Sequence, residues 1–129
     1  MLNNRGQSLI LFVIVLPIIL LIAILVIDVG RVIVRKQELS NISNIVLDYG
    51  LDNLEQDDIS NELLELVKLN DSEIDEINIF IDDNKIKLEL KDSVNGLFSN
   101  IEDISVFNVK SSYVGYLENE NKRIEKVSG

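Results

Sequence analysis

Acidic side chains are the most abundant groups in this chain that could do chemistry. The sequence places them close together at Asp75-Glu76, at Glu102-Asp103 and at Asp82-Asp83-Asn84. Carboxylate catalysis needs two groups that converge, whereas adjacent residues of a strand point to opposite faces. The third cluster lacks the twelve-residue spacing to a distal Glu that a calcium loop needs. We therefore interpret the first two clusters as solvated surface and the third as a turn.

Composition excludes several other kinds of site. The chain has no Cys and no His, which rules out disulfides, thiol chemistry, His-ligated zinc and His-dependent triads. The six Gly are scattered and form no phosphate-binding loop, although composition leaves a Ser–Lys pair open. We predict a protein that is not an enzyme and that binds no cofactor.

One uninterrupted apolar run dominates the N-terminal quarter. Residues 9–27 contain no polar or charged side chain. As an α-helix these nineteen residues would be roughly 28 Å long, which matches the hydrocarbon core of a bilayer. The core helix of a small soluble domain would have a polar face. The run therefore predicts a transmembrane helix.

The rest of the chain is acidic. From residue 37 onward there are 21 acidic and 8 basic residues. A net charge of this sign repels nucleic acid and anionic headgroups, so we expect no nucleic-acid partner. Solubility is the simplest use of the charge, and binding of divalent cations is the alternative.

The segment around the apolar run allows three interpretations. A secretory signal peptide predicts a shorter apolar region followed by a small-x-small cleavage site, which is absent here. The other two are an ordinary signal anchor and a prepilin-type leader that is cut before the apolar run. Arg5-Gly6-Gln7-Ser8-Leu9, then Phe12 and Leu16-Pro17, and finally Asp28-Val29-Gly30-Arg31 favour the third. This string resembles the N-terminal signature of the TadE/TadG-like proteins of tight-adherence (Tad, or Flp) pilus systems.

The resemblance implies a processing site. By position, Gly6 is the last leader residue and Gln7 the first mature one, with a prepilin peptidase cutting between them. Gly suits such a site because a protease must approach an extended backbone closely. The family's usual Glu falls on Leu11 here, so its pairing with a mature N-terminal amine is lost. An uncleaved, TadG-like or accessory role is the alternative that Leu11 favours.

We predict five segments: a leader over 1–6, a transmembrane helix over 7–30, an amphipathic extension over 31–50, an acidic α+β domain over 51–117, and a polar, frayed tail over 118–129. The extension carries an apolar stripe at helical spacing, which includes Leu39, Ile42 and Val46 and is interrupted by Arg35. This stripe packs either on the chain's own domain or on a partner's equivalent helix. Gly50 is expected to end the helix as its C′ residue.

The acidic domain reads as helix, strand, strand, short helix and strand. Asp57 or Asp58 caps a helix that runs to about Leu69, and residues 77–90 form a hairpin around the Asp82-Asp83-Asn84 turn. Residues 94–101 suggest a short helix or turn, and 106–116 a third strand. The fold class is therefore α+β: a single N-terminal transmembrane helix extended into a pilin-like domain with an antiparallel sheet of about three strands.

The functional hypothesis is a minor pilin-like or pilus-assembly protein that acts structurally in the plasma membrane. Its partners would be the lipid bilayer, other pilin-like or pilus-assembly proteins, and a prepilin peptidase. Pro17 and Gly30 join the stripe as candidate helix-packing positions, although Pro17 is equally readable as a simple bend. The alternatives are a signal-anchored envelope binding protein unrelated to pili and a regulatory protein with a cytoplasmic domain. Cations beyond the run favour a cytoplasmic domain, whereas the family resemblance implies an extracytoplasmic one.

Overall fold

A computed structural model describes residues 2–97 and 106–127, with side chains described from Gly6 onward. The elements in chain order are α1 (Leu2–Asp52), α2 (Ile59–Asn70), β1 (Glu76–Asp82), β2 (Lys85–Asn95), β3 (Val106–Glu118) and β4 (Asn121–Lys126). The α+β class, with a long apolar N-terminal helix and an antiparallel sheet, agrees with the sequence-based prediction.

Helix α1 contains 51 residues and is about 76 Å long. Within the described residues, one helix is long and apolar enough to cross a membrane, and none of the residues in its most apolar stretch is buried by protein. A helix that is apolar on all sides and uncovered by protein requires lipid around it. The part of the chain that the structure describes therefore has a single helix suited to anchor it in a membrane.

The prediction that Gly50 ends this helix is wrong, because α1 continues to Asp52. Gly50 is instead buried at the contact between α1, α2 and the sheet. A Cβ at this position would lie 2.7 Å from Cδ1 of Ile86 and 3.1 Å from Cδ2 of Leu63. The residue is thus needed for close packing rather than for a left-handed turn.

The sheet is a four-stranded antiparallel meander in the order β1-β2-β3-β4. The predicted hairpin is confirmed: Ile77 pairs with Leu90, and Asp82 pairs with Lys85 across a two-residue turn. Alternation along β2 sends Ile86, Leu88 and Leu90 to one face, where all three are fully buried. The same pattern sends the lysines of β2 to the opposite face.

The C-terminal half of α1 covers the apolar face of the sheet, and α2 closes the β1 side. The core comprises Leu39, Ile42, Val46, Leu47 and Leu51 of α1, Ile59, Leu63 and Val67 of α2, Ile86, Leu88 and Leu90 of β2, and Val109 of β3. Asp58 occupies the predicted N-cap of α2, but its carboxylate accepts a hydrogen bond from the Asn61 side chain (2.7 Å) instead of from the backbone.

A fourth strand replaces the frayed tail that the sequence suggested. Residues of β4 pair with β3 from Tyr113↔Lys126 to Glu118↔Asn121. The strand escaped prediction because Ile124 is its single apolar residue. Its position is secured by Lys122, whose ammonium lies 2.8 Å from Asp48 and 3.1 Å from Asp52 on α1. These contacts raise the pKa of Lys122, through hydrogen bonds to Asp48 and then to Asp52.

The predicted short helix over 94–101 lies partly outside the described residues. Val94 and Asn95 end β2, and the backbone leaves the sheet at Gly96 and Leu97. The remainder of that prediction, from Phe98 to Ile101, and the Glu102-Asp103 pair fall in the range that the structure does not describe.

The turn between β3 and β4 predicts a stabilising substitution. Asn119 and Glu120 have φ angles of 51° and 70°, a pair of left-handed residues that suits a two-residue hairpin. Glu is strained there, so Glu120→Gly should raise the free energy of unfolding by about 1 kcal/mol. Urea unfolding of the full chain in lipid nanodiscs, followed by pulse proteolysis, measures this change.

Glu118→Gly is the matched control for that variant, since Glu118 ends a regular strand. Gly in a strand loses side-chain packing and backbone entropy, so this variant should be destabilised. Equal effects of the two substitutions would contradict the turn assignment.

Candidate functional site

The sheet domain is joined to the membrane end of α1 by polar contacts directly beyond the apolar run. Asp28 is only 5% exposed, and its Oδ1 accepts a hydrogen bond from the backbone N–H of Leu97 (3.1 Å). One turn further, Nη1 of Arg31 donates to the carbonyl of Asn95 (3.1 Å). The end of β2 is therefore held against the helix at the level where the bilayer surface begins.

Arg35 is the centre of a larger ionic cluster. Its Nη1 lies 2.5 Å from Asp71 and 2.9 Å from Glu38, and its Nε donates to Asp92 at 2.6 Å. Its Nη2 also pairs with Asp92. One guanidinium thus binds carboxylates from α1, from the residue that follows α2, and from β2.

Most of the charged side chains of this cluster are poorly exposed to solvent. The side chains of Arg35 and Asp92 are 15% and 9% exposed, so neither charge is well solvated. Burial alone would lower the pKa of Arg35, but hydrogen bonds to Asp71, Glu38 and Asp92 raise it above its usual range. The hydrogen bond from Arg35 in turn lowers the pKa of Asp71. Arg35 and Asp71 are therefore both held in their charged forms at neutral pH.

A groove of about 770 Å³ opens beside this cluster. Its lining consists of Ile27, Gly30, Arg31, Val34, Arg35 and Glu38 of α1, Glu73 and Asp75 before β1, and Asp92, Ser93 and Val94 of β2. The helix side of the groove combines apolar and charged residues, and the sheet side carries carboxylates. The groove therefore suits a partner surface that combines apolar and basic side chains.

A smaller groove of about 210 Å³ lies on the other side of α1. It is lined by Ile33, Lys36, Gln37 and Ser40 of α1, Lys110, Ser111 and Tyr113 of β3, and Lys126 of β4. Ser40 and the Tyr113 hydroxyl form a hydrogen bond across its floor. Its charged lining residues are all lysines, in a domain that is otherwise acidic.

The five residues predicted from the sequence as helix-packing positions have different environments in the structure. Leu39 and Val46 are fully buried and Ile42 is 8% exposed, all in the core of the chain's own domain. Gly30 is half-buried in the wall of the larger groove, and Pro17 lies exposed within α1. Packing of Pro17 and Gly30 against a partner helix stays a prediction.

The proposed processing residues are accessible but helical. Gly6 and Gln7 are both exposed near the beginning of α1. A protease that binds extended backbone would have to unwind the first turns of this helix. Gly costs a helix about 1 kcal/mol relative to Ala, so its presence weakens the helix where unwinding is required.

Sequence reasoning missed Arg35, Asp28 and Ser43 as structural residues. The signal for Arg35 was present, because a cation that interrupts a buried stripe requires carboxylate partners. Ser43 is fully buried, and its hydroxyl bonds to the Leu39 carbonyl (2.8 Å) and to Ser111 of β3 (3.2 Å). Its small side chain allows α1 to approach β3 closely.

The arrangement of these side chains offers charge pairing. In residues 2–97 and 106–127 no three His, Cys, Asp or Glu side chains are grouped so that they could hold a metal ion. Carboxylates converge on Arg35, and a pair of them converges on Lys122. Such a cluster can orient a domain and bind a complementary surface.

Comparison with known families agrees with the N-terminal signature. The family model described as TadE-like protein matches residues 6–44, which cover the membrane span and the first part of the α1 extension. The predicted TadE-like resemblance is confirmed, and the N-terminal segment is TadE-like. This match associates the chain with the tight-adherence pilus systems. No curated protein and no solved structure matches the chain.

The ionic cluster predicts a large loss of stability when Arg35 is removed. Arg35→Met keeps most of the side-chain volume but leaves three carboxylates without their cation, so the free energy of unfolding should fall by about 3 kcal/mol. Arg123→Met is the control, since Arg123 pairs with Glu118 and Glu125 on the exposed face of the sheet. Such exposed pairs contribute less than about 1 kcal/mol. Equal losses in nanodisc urea titrations would contradict a structural role for Arg35.

The same cluster predicts an acid response. Because Arg35 lowers the pKa of Asp71 in the folded state, this interaction stabilises the fold above the unfolded pKa of about 4 and is lost as the pH falls through the folded value. The wild-type free energy of unfolding should therefore decrease below about pH 4.

Arg35→Met should show the opposite slope between pH 7 and pH 4, because protonation then relieves repulsion among the unpaired carboxylates. Glu89, whose pKa is lowered by its hydrogen bond from Lys110, titrates in both proteins and cancels in the comparison. Parallel pH profiles for the two proteins would rule out Arg35 as the source of the effect.

Proposed function

We propose that this protein is a minor pilin-like or pilus-assembly subunit of a tight-adherence system, with a structural rather than an enzymatic role. The observation that carries the proposal is the single unbroken helix that runs from a TadE-like membrane segment into the sheet domain. The helix anchors the protein and packs laterally against other pilin-like helices. The sheet domain presents contact surfaces at a fixed distance from the bilayer.

The membrane segment has the properties that lateral packing requires. The side chains of residues 9–22 are exposed along the whole helix, so every face is available to lipid or to another helix. Association inside a bilayer depends on close packing and on small residues, since lipid tails are as apolar as the side chains. Gly30 supplies a small residue where α1 leaves the apolar run.

We further propose that the sheet domain is extracytoplasmic. A count of Arg31, Arg35 and Lys36 beyond the run favours the cytoplasm. The resemblance of residues 6–44 to TadE-like proteins supports the other side.

Processing at Gly6 is tested by the mass of the membrane-extracted protein from cells that contain the native prepilin peptidase. We expect loss of residues 1–6, and Gly6→Leu should abolish this loss because a side chain blocks the close backbone approach. Gly30→Leu is the matched control, with an equal change outside the leader. An intact N-terminus in the wild-type protein would overturn the processed-subunit version and leave an uncleaved anchor.

Topology is tested by adding a protease to intact protoplasts. The extracytoplasmic assignment predicts that the sheet domain is digested while a cytoplasmic marker protein survives. A domain that is protected until the protoplasts are lysed would place it in the cytoplasm and contradict the assignment.

A further inference from the structure

The two grooves lie on opposite flanks of α1. Successive residues of a helix are rotated by about 100° around its axis. The mean direction of Gly30, Val34 and Glu38 therefore lies on one side of the sheet-facing stripe. The mean direction of Ile33, Lys36 and Ser40 lies on the other side. The sheet agrees, because the first groove is completed by the β1–β2 side and the second by β3 and β4. We call these surfaces the acidic flank and the basic flank.

The flanks carry opposite charge. The lining of the acidic flank contains four carboxylates, from Glu38, Glu73, Asp75 and Asp92, and two guanidiniums. Because Arg35 is already bound by carboxylates, Glu73 and Asp75 are left as the exposed acidic groups at the rim. The basic flank contains three lysines and no carboxylate. Of these, Lys110 pairs with Glu89, whereas Lys36 and Lys126 form no ion pair within the described residues.

The flanks also overlap in height above the bilayer. The α1 residues that line them are 27–38 in one case and 33–40 in the other. Two parallel copies anchored by the same apolar run hold these residues at equal depth. The acidic flank of one copy therefore faces the basic flank of its neighbour over the range that both share, residues 33–38.

From this geometry we propose that a second copy of this chain is the occupant of each groove, with the acidic flank of one copy docked on the basic flank of the next. Ile33 and Val34 are apolar and are 54% and 55% exposed. They lie on the two flanks and supply an apolar contact between the copies, next to the lysines and the carboxylates. The proposal depends on the membrane anchoring of the proposed function and not on its pilus role.

This contact is heterologous, because two different surfaces meet. A pair of bound copies leaves one acidic and one basic flank open, so association continues into rows or rings instead of stopping at a dimer. The overall negative charge of the domains opposes association, but at physiological salt charges separated by more than about 8 Å are largely screened. The local pairs between flanks are closer than this and retain their attraction.

The test uses the full chain, purified and reconstituted in neutral-lipid liposomes without other proteins. The natural sequence has no Cys, so cysteines can be introduced singly. Glu73→Cys mixed with Lys36→Cys should give a covalent dimer with a short thiol-specific crosslinker, and neither variant should crosslink alone. A chain that carries both substitutions should give a ladder of multimers. Dimers of Glu73→Cys alone would show a symmetric contact and overturn the proposal.

Charge reversal then tests the pairing. Starting from the chain with both cysteines, Asp75→Lys or Lys126→Glu alone should lower the crosslinked yield about tenfold, the change expected for the loss of about 1.4 kcal/mol. The two reversals together should restore it. Glu120→Lys, on the turn between β3 and β4, is the control and should leave the yield unchanged.

Two outcomes would overturn the inference. A yield that is insensitive to both reversals would show that the flanks do not meet. In a second set of liposomes that contain anionic lipid, a yield that appears only there and does not depend on Asp75 would assign the basic flank to headgroups. Because no peptidase or pilus component is present, either result is independent of the processing experiment on Gly6.

Discussion

The position of the sheet domain relative to the membrane depends on the guanidinium of Arg35. This group lies eight residues beyond the apolar run, or roughly 12 Å along the helix. There it binds carboxylates from three separate segments, and the hydrogen bond from Leu97 to Asp28 adds a contact nearer the bilayer. A buried cation whose partners come from three directions tolerates few alternative geometries. The ionic cluster therefore orients the sheet, and the apolar core beyond it supplies the cohesion.

That orientation gives the two sides of the helix different chemistry. The strand order places the carboxylates that precede β1 on one side and the lysines of β3 and β4 on the other. A pilin-like subunit with Glu in place of Leu11 would have a carboxylate inside the membrane, and this carboxylate would need to pair with a group of a partner there. In this chain the charge groups that could determine register lie outside the bilayer, where they are cheaper to desolvate and sensitive to salt.

The elements defined by local pattern were predictable from the sequence. The apolar run, the α2 helix and the hairpin around Asp83 and Asn84 follow from periodicity and turn chemistry, and all are present in the structure. The features that depend on distant partners were not. Strand β4 has one apolar residue and is held by Lys122, which pairs with α1 some seventy residues away. Gly50 looked like a helix end because nothing local shows that Ile86 and Leu63 need its space.

The continuity of α1 couples the thickness of the bilayer to the position of the sheet. A membrane span adjusts to a thinner or thicker hydrocarbon layer by changing its tilt. Because α1 is unbroken from the lipid to Asp52, about 36 Å beyond Asp28, a change of 10° in tilt displaces the far end of the helix sideways by roughly 6 Å. A small change in the tilt of the membrane-spanning part of the helix therefore causes a larger displacement at its far end. Neighbouring copies would be brought into or out of lateral alignment by the composition of the membrane in which they reside.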